Sequence, residues 1–338
     1  MSTLKRKLSL LSVFIFIILA LIFYKAIQQK NEEERKMTFY RCINFVNDFE
    51  DSKENKFNMD MGAGYFDIIK KAGFDSVRLP VRFSDYVNKN TYILDKEFMS
   101  EIDYYIDYAL QYDLTLILDF HNFSEIMDEP EKYKEMFISI WNQISERYEG
   151  YSDKLIFELL SEPRDNLRGS LWNDYLKEGI DIIRKHDKLR KIIVGPDSYY
   201  SIDRLYDLVT PKDKNLILTF HYYEPINFTF QGSQYHDEYK KLKNIKWIET
   251  EKNMDILNNN FDIAKKYSME NKIPVFLGEF GVNRSVEEPY RANWIRAVRK
   301  EAENYNFSWS YCDFCSDFGI YDLEKQEWSV ELQSLIPK

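Results

Sequence analysis

FELLSEPRD, Phe157 to Asp165, is the stretch on which the reading of this chain turns. Leu155, Ile156, Phe157, Leu159 and Leu160 form an apolar run broken once, at Glu158. Such a run reads as a strand buried on both faces, as the strands of a parallel sheet are. Pro163 has no N–H for a ladder, so the strand stops before it. Glu162 is thereby set at the carboxyl end of a buried strand, where parallel α/β folds carry their active sites. A second stretch, PVFLGEFG from Pro274 to Gly281, has the same form and carries Glu279 near its end.

Eight such runs follow one another from residue 39 onward: 41–45, 76–81, 114–120, 155–160, 191–195, 216–222, 274–278 and 307–314. Between them lie seven stretches of helical periodicity, 61–72, 96–112, 131–148, 171–186, 203–209, 254–268 and 290–304. Eight strands alternating with seven helices predict an α/β fold of the (β/α)8 TIM-barrel kind. A doubly wound open sheet, the alternative, gives no reason for so many polar groups at strand ends. The longest gap, 224–252, follows the sixth strand. A connection of that length in a compact domain is usually functional.

Residues 8–24 are apolar apart from Ser9, Ser12 and Tyr24, and Lys5, Arg6 and Lys7 precede them. The length is near the lower limit for a membrane-spanning helix, and the basic flank puts the N-terminus in the cytoplasm. A cleaved signal peptide competes with this reading, but no A-x-A-like site follows the run. The expected organisation is a cytoplasmic 1–7, a transmembrane signal-anchor helix at 8–24, a charged linker at 25–37 and an extracytoplasmic barrel over 38–338. If the anchor is removed, the barrel is secreted.

The chain of 338 residues is 44% hydrophobic and carries a net charge of −10, which argues against nucleic acid or another polyanion as partner. Aromatic residues make up 16%, mostly as core, with some rings expected to line a sugar-stacking cleft. Three cysteines, Cys42, Cys312 and Cys315, give no disulfide framework, and the lone CxxC of the last two has no second pair to make a zinc site. All three read as buried thiols, with Cys312 and Cys315 in one strand.

On a barrel the carboxyl ends of the strands carry Arg78, then His121 and Asn122, Ser161 and Glu162, His221 and Tyr223, Glu279, and finally Trp309, Tyr311 and Cys312. Two carboxyl groups facing one another are what glycoside hydrolysis needs: one protonates the leaving oxygen, the other attacks the anomeric carbon or activates water. The two must differ in protonation. A negative Glu279 keeps Glu162 an acid, and Arg78 keeps Glu279 ionised. His121, His221 and Tyr223 are placed to orient the carboxylates and bond sugar hydroxyls.

The stretches GFDSVRLPV, LILDFHN, FELLSEP, HYYEP, FTFQG, FLGEFG and SWSYCDFCSDFGIYD together resemble the glycoside hydrolase family 5 cellulases, from about Arg41 to Glu331. The resemblance implies a TIM barrel, a retaining mechanism without cofactor or metal, Glu162 as acid/base, Glu279 as nucleophile and β-1,4-linked glucan as substrate. It carries Arg78, His121, Asn122, Ser161, His221 and Tyr223 as substrate-binding positions, to which Trp309 is added as a substitute aromatic. Three departures stand out. The family usually has Asn where Ser161 lies, and that Asn binds the 2-hydroxyl of the sugar being cleaved. Its usual strand-eight Trp is Cys312 here, with Trp309, Phe230, Tyr235 or Trp247 as substitutes. Cys42 and Val46 stand where the first strand usually carries glycines.

The expected activity is a membrane-anchored endo-β-1,4-glucanase, and the anchor suggests trimming of a polysaccharide as it leaves the cell, beside an export system. A barrel that binds glycan without cleaving it, or a glycosidase for another β-linked polysaccharide such as mannan, is the alternative. A metal-dependent hydrolase lacks support, because His121 and His221 have neither HxH nor HExxH spacing.

Overall fold

In the computed structural model, which describes residues 37–45, 62, 64–234 and 237–337, eight strands close into a barrel in sequence order. They are β1 (Arg41–Asn44), β2 (Ser76–Val81), β3 (Thr115–Phe120), β4 (Leu155–Glu158), β5 (Ile192–Val194), β6 (Leu216–His221), β7 (Val275–Phe280) and β8 (Ser308–Tyr311). Each pairs in parallel with its neighbours, and β8 closes on β1. Every residue of β2, β3, β6 and β7 is buried, which is why their sequences run apolar without alternation.

Among the described residues six longer helices cover the barrel: α1 (Tyr65–Ala72), α2 (Lys96–Gln111), α3 (Pro130–Arg147), α4 (Gly169–His186), α5 (Glu251–Asn271) and α6 (Glu288–Asn304). In α2 the Asp95 carboxylate accepts the Phe98 N–H at 2.9 Å, an N-cap worth about 1 kcal/mol. Phe98, Met99, Ile102, Ile106 and Ala109 then face the barrel at helical spacing. Two glycines of FLGEFG are set by close approach. A Cβ at Gly278 would lie 2.5 Å from Thr219 Oγ1 and 3.0 Å from His221 Nε2, and one at Gly281 would lie 2.0 Å from the Cys312 carbonyl oxygen.

The structure departs from expectation at several boundaries. The helix expected at 203–209 is a short 3-10 turn, Ile202–Asp207, because only Ile202 and Leu205 of that segment are buried and Pro211 follows. β4 ends at Glu158 rather than 160, so Glu162 sits in the loop beyond it, whereas β7 runs on to Phe280 and holds Glu279 within the strand. β8 ends at Tyr311, so Cys312 and Cys315 lie in the following turn and not in a strand. The expected anchor at 8–24 and the segment 25–36, together with Val46, Tyr235 and His236, lie outside the described residues. Among the described residues no helix is long and apolar enough to cross a membrane.

Candidate active site

Arg78, the third residue of β2, lies inside the barrel with no exposed surface. A buried guanidinium must spend all its N–H groups. Nε and Nη2 hold the Glu158 carboxylate at 2.7 and 3.0 Å. Nη2 also lies 2.9 Å from Asp119 Oδ2 and 3.0 Å from Ser161 Oγ. Nη1 donates to Asn44 Oδ1 and to Glu279 Oε1, both at 2.7 Å. Burial works against this charge, but Asp119, Glu158 and Glu279 outweigh it and hold the pKa well above the usual value.

Glu279 accepts from Arg78 on one oxygen and from the Tyr223 hydroxyl on the other, at 2.9 Å. Burial would raise its pKa. His221, Arg78 and His121 outweigh burial, and with the Tyr223 hydrogen bond they bring it down from 4.5 to about 2. Glu279 is therefore a carboxylate at any ordinary pH.

Glu162 is held by its backbone as much as by its side chain. Its φ is 51°, a left-handed conformation that costs a non-glycine residue about 1–3 kcal/mol and persists only where its surroundings fix it. Here they do. Ser161 N–H donates to Phe120 O of β3, Trp141 Nε1 to Leu159 O, the Tyr200 hydroxyl to Leu160 O and Arg164 Nη1 to Glu162 O. Pro163 follows directly, so the turn points Glu162 back over the barrel.

His221, the last residue of β6, links the two carboxylates. Its Nδ1 lies 2.7 Å from Glu162 Oε1 and 3.6 Å from Glu279 Oε2. Burial opposes protonation of the ring, but the two carboxylates win and its pKa lies above 6.5. Tyr200 stands edge-on to the imidazole, centroids 5.0 Å apart. His121 is oriented separately, with Nδ1 2.7 Å from Asp119 Oδ2.

His121, Asn122, Glu162, His221, Tyr223 and Glu279 all line one cavity of about 1060 Å³ at the carboxyl ends of the strands. Arg78, Ser161 and Trp309 do not. Arg78 and Ser161 lie beneath the cavity floor, where the Ser161 hydroxyl meets Arg78. Trp309 is fully buried on the outer side of β8, packed on Phe74 and Phe280 with its Nε1 3.4 Å from Glu303 of α6. It belongs to the layer between barrel and helices. Cys312, read as a buried thiol, is partly exposed and lines the cavity beside the Tyr223 hydroxyl. The aromatic wall near it is made by Phe230 and Phe318, each packed on Tyr223.

Asn44, Asp119, Glu158, Arg164 and Tyr200 were not picked out from the sequence. Asp119 and Glu158 did carry a signal: a charge inside a run buried on both faces must have a buried partner. One oxygen from each of Glu162 and Glu279 and one nitrogen of His221 lie within 4.8 Å of one another, a set that could hold a metal ion. The Arg78 guanidinium 2.7 Å from Glu279 opposes a dication there, and hydrogen bonds already engage these atoms.

The comparisons agree with this geometry. Residues 47–317 match the family described as cellulase (glycosyl hydrolase family 5). Endoglucanase H of Acetivibrio thermocellus is 29% identical over 86% of this chain and 32% of its own length, and endoglucanase 3 of Fibrobacter succinogenes is 23% identical over 86% and 52%. The chain thus spans about a third of the first of these curated relatives and about half of the second. Among solved structures, a clostridial cellulose synthase subunit Z from Clostridioides difficile is 47% identical, with a TM-score of 0.87 over 88% of this chain and 100% of that one. Thermotoga maritima Cel5A in complex with cellobiose is 36% identical, with a TM-score of 0.86 over 90% and 99%. A barrel whose β4 loop and β7 bring two glutamates to one mouth, matched over most of its length, belongs to glycosyl hydrolase family 5, the cellulase family.

Proposed function

We propose that this chain is an endo-β-1,4-glucanase that cleaves by double displacement, with Glu279 as nucleophile and Glu162 as acid/base. The observation that carries the reading is the gap between them, less than 4.8 Å between one oxygen of each. Retaining enzymes hold their carboxyl groups roughly 5–5.5 Å apart, and inverting ones about 6.5–9.5 Å, to admit a water. Glu279, held ionised by Arg78 and Tyr223, attacks the anomeric carbon. Glu162 protonates the departing oxygen, then takes a proton from the water that releases the sugar. His221, against Glu162, steadies it in both roles.

The basic flank and apolar run at 5–24 support a membrane anchor, and the likeness to a cellulose synthase subunit supports work on a glucan leaving the cell. Reducing-sugar release from carboxymethyl-cellulose, mixed-linkage glucan and mannan tests the activity, with Glu162→Gln and Glu279→Gln alongside. Equal release by all three proteins would end the reading. Tight oligosaccharide binding without any product would favour a binding barrel, a reading supported by Ser161 facing Arg78 and by Cys312 in the wall.

A further inference from the structure

Glu158 breaks the apolar run of β4 and has no exposed surface, so it cannot touch a substrate. Its carboxylate is instead spent on the guanidinium that contacts Glu279. We propose that Glu158 is a positioning residue for the nucleophile: it fixes Arg78 so that Nη1 meets Glu279, and its charge limits how strongly that guanidinium draws on Glu279. The inference rests on the role proposed above for Glu279.

Two observations carry it. The first is geometric. A planar guanidinium has a bidentate edge at Nε and Nη2, and Glu158 occupies that edge, which sets the plane of the fork and leaves Nη1 toward β7 and β1. The second is electrostatic. Asp119 stands beside Glu158 in register, and both face Arg78, so two carboxylates share the cation before Glu279 is counted. A cation already shared keeps Glu279 ionised without fully neutralising it, and an unneutralised carboxylate is the better nucleophile. The charged and titratable groups facing Glu158 are Arg78 from β2, Asp119 from β3, His221 from β6 and Tyr200 from the turn after β5. Burial and Asp119 push the Glu158 pKa up, against Arg78.

The test separates grip from charge in the full chain. Glu158→Gln removes the charge. With one negative group gone, the His221 imidazolium is less favoured, so its NMR-detected midpoint falls by about half a pH unit or more. Glu158→Asp keeps the charge and withdraws the grip by one methylene: kcat falls on the order of 100-fold with KM unchanged, and the His221 midpoint stays put. If Glu158→Gln does not fold, Asp119→Asn removes a charge from the other side of Arg78 and is measured the same way. Variants that lose thermal stability yet keep the wild-type kcat and His221 midpoint would overturn the proposal. A wild-type protein that releases no sugar would overturn the proposed function instead, while the His221 titration would still read Glu158.

Discussion

Replacing Arg78 by Met would empty the barrel of its central charge while nearly keeping its length. The cost follows from what the buried cluster loses. Arg78 is wholly buried and pairs with Asp119, Glu158 and Glu279 at 2.7 to 2.9 Å. Removing one partner of such a cluster costs about 3–5 kcal/mol, because the others stay buried and uncompensated. Linkage adds a pH dependence to this cost. Glu279 falls from 4.5 to about 2 in the fold, and at about 1.4 kcal/mol per pH unit this is worth roughly 3 kcal/mol, shared among His221, Arg78, His121 and the Tyr223 hydroxyl. The sign is fixed by the direction. A carboxylate with a lowered pKa stabilises the wild type above pH 4.5, and that stabilisation is lost as pH falls toward 2. In Arg78→Met the same carboxylates become harder to ionise, so the variant is destabilised by rising pH. The melting-temperature deficit should be about 10 °C at neutral pH and should shrink below about pH 4. Calorimetric melting of both proteins between pH 3 and pH 8 checks it. A deficit that stays constant across that range would refute the electrostatic account, and a variant with near wild-type kcat would refute the orienting role of Arg78.

Other outcomes follow from single contacts. Glu162→Gln should lower kcat on glucan about 100- to 10,000-fold, yet far less on an aryl glycoside whose leaving group needs no proton, as kinetics on both substrates would report. Tyr223→Phe removes the hydroxyl that donates to Glu279 at 2.9 Å, and loss of a hydrogen bond to a charged group, about 1.5–3 kcal/mol, predicts a 10- to 150-fold drop in kcat/KM. Gly278→Ala forces a methyl to within 2.5 Å of Thr219 Oγ1 and against the His221 ring, so urea titration should show about 1–3 kcal/mol of destabilisation together with reduced kcat.

The barrel was legible because strands buried on both faces have an unambiguous sequence, as LILTFH of β6 illustrates. Glu162 and Glu279 stood out because each is an ionisable group near the end of such a run, Glu162 in the loop beyond β4 and Glu279 one residue before the end of β7. Depth and facing were not legible. In Ser308–Trp309–Ser310–Tyr311 both faces are buried, so alternation alone cannot distinguish lumen from helix layer. Ser310 Oγ accepts from Asn44 Nδ2 inside the barrel, which turns Trp309 outward. Ser161 was read at the right end of its strand but one layer too high, and Arg78 was read at the end of β2 although it is the third of that strand's six residues, since no local pattern reports how far a side chain stands above the barrel floor. The Arg78 cluster joins residues up to 201 positions apart, and only the closed sheet brings them together.

Direct attack on the sugar by Glu279 requires the short distance that separates it from Glu162. Proton NMR of the first product formed from a soluble β-glucan tests it. With Glu279 as nucleophile the new reducing end appears first as the β anomer and then mutarotates; initial release of the α anomer would mean that water, and not Glu279, attacks.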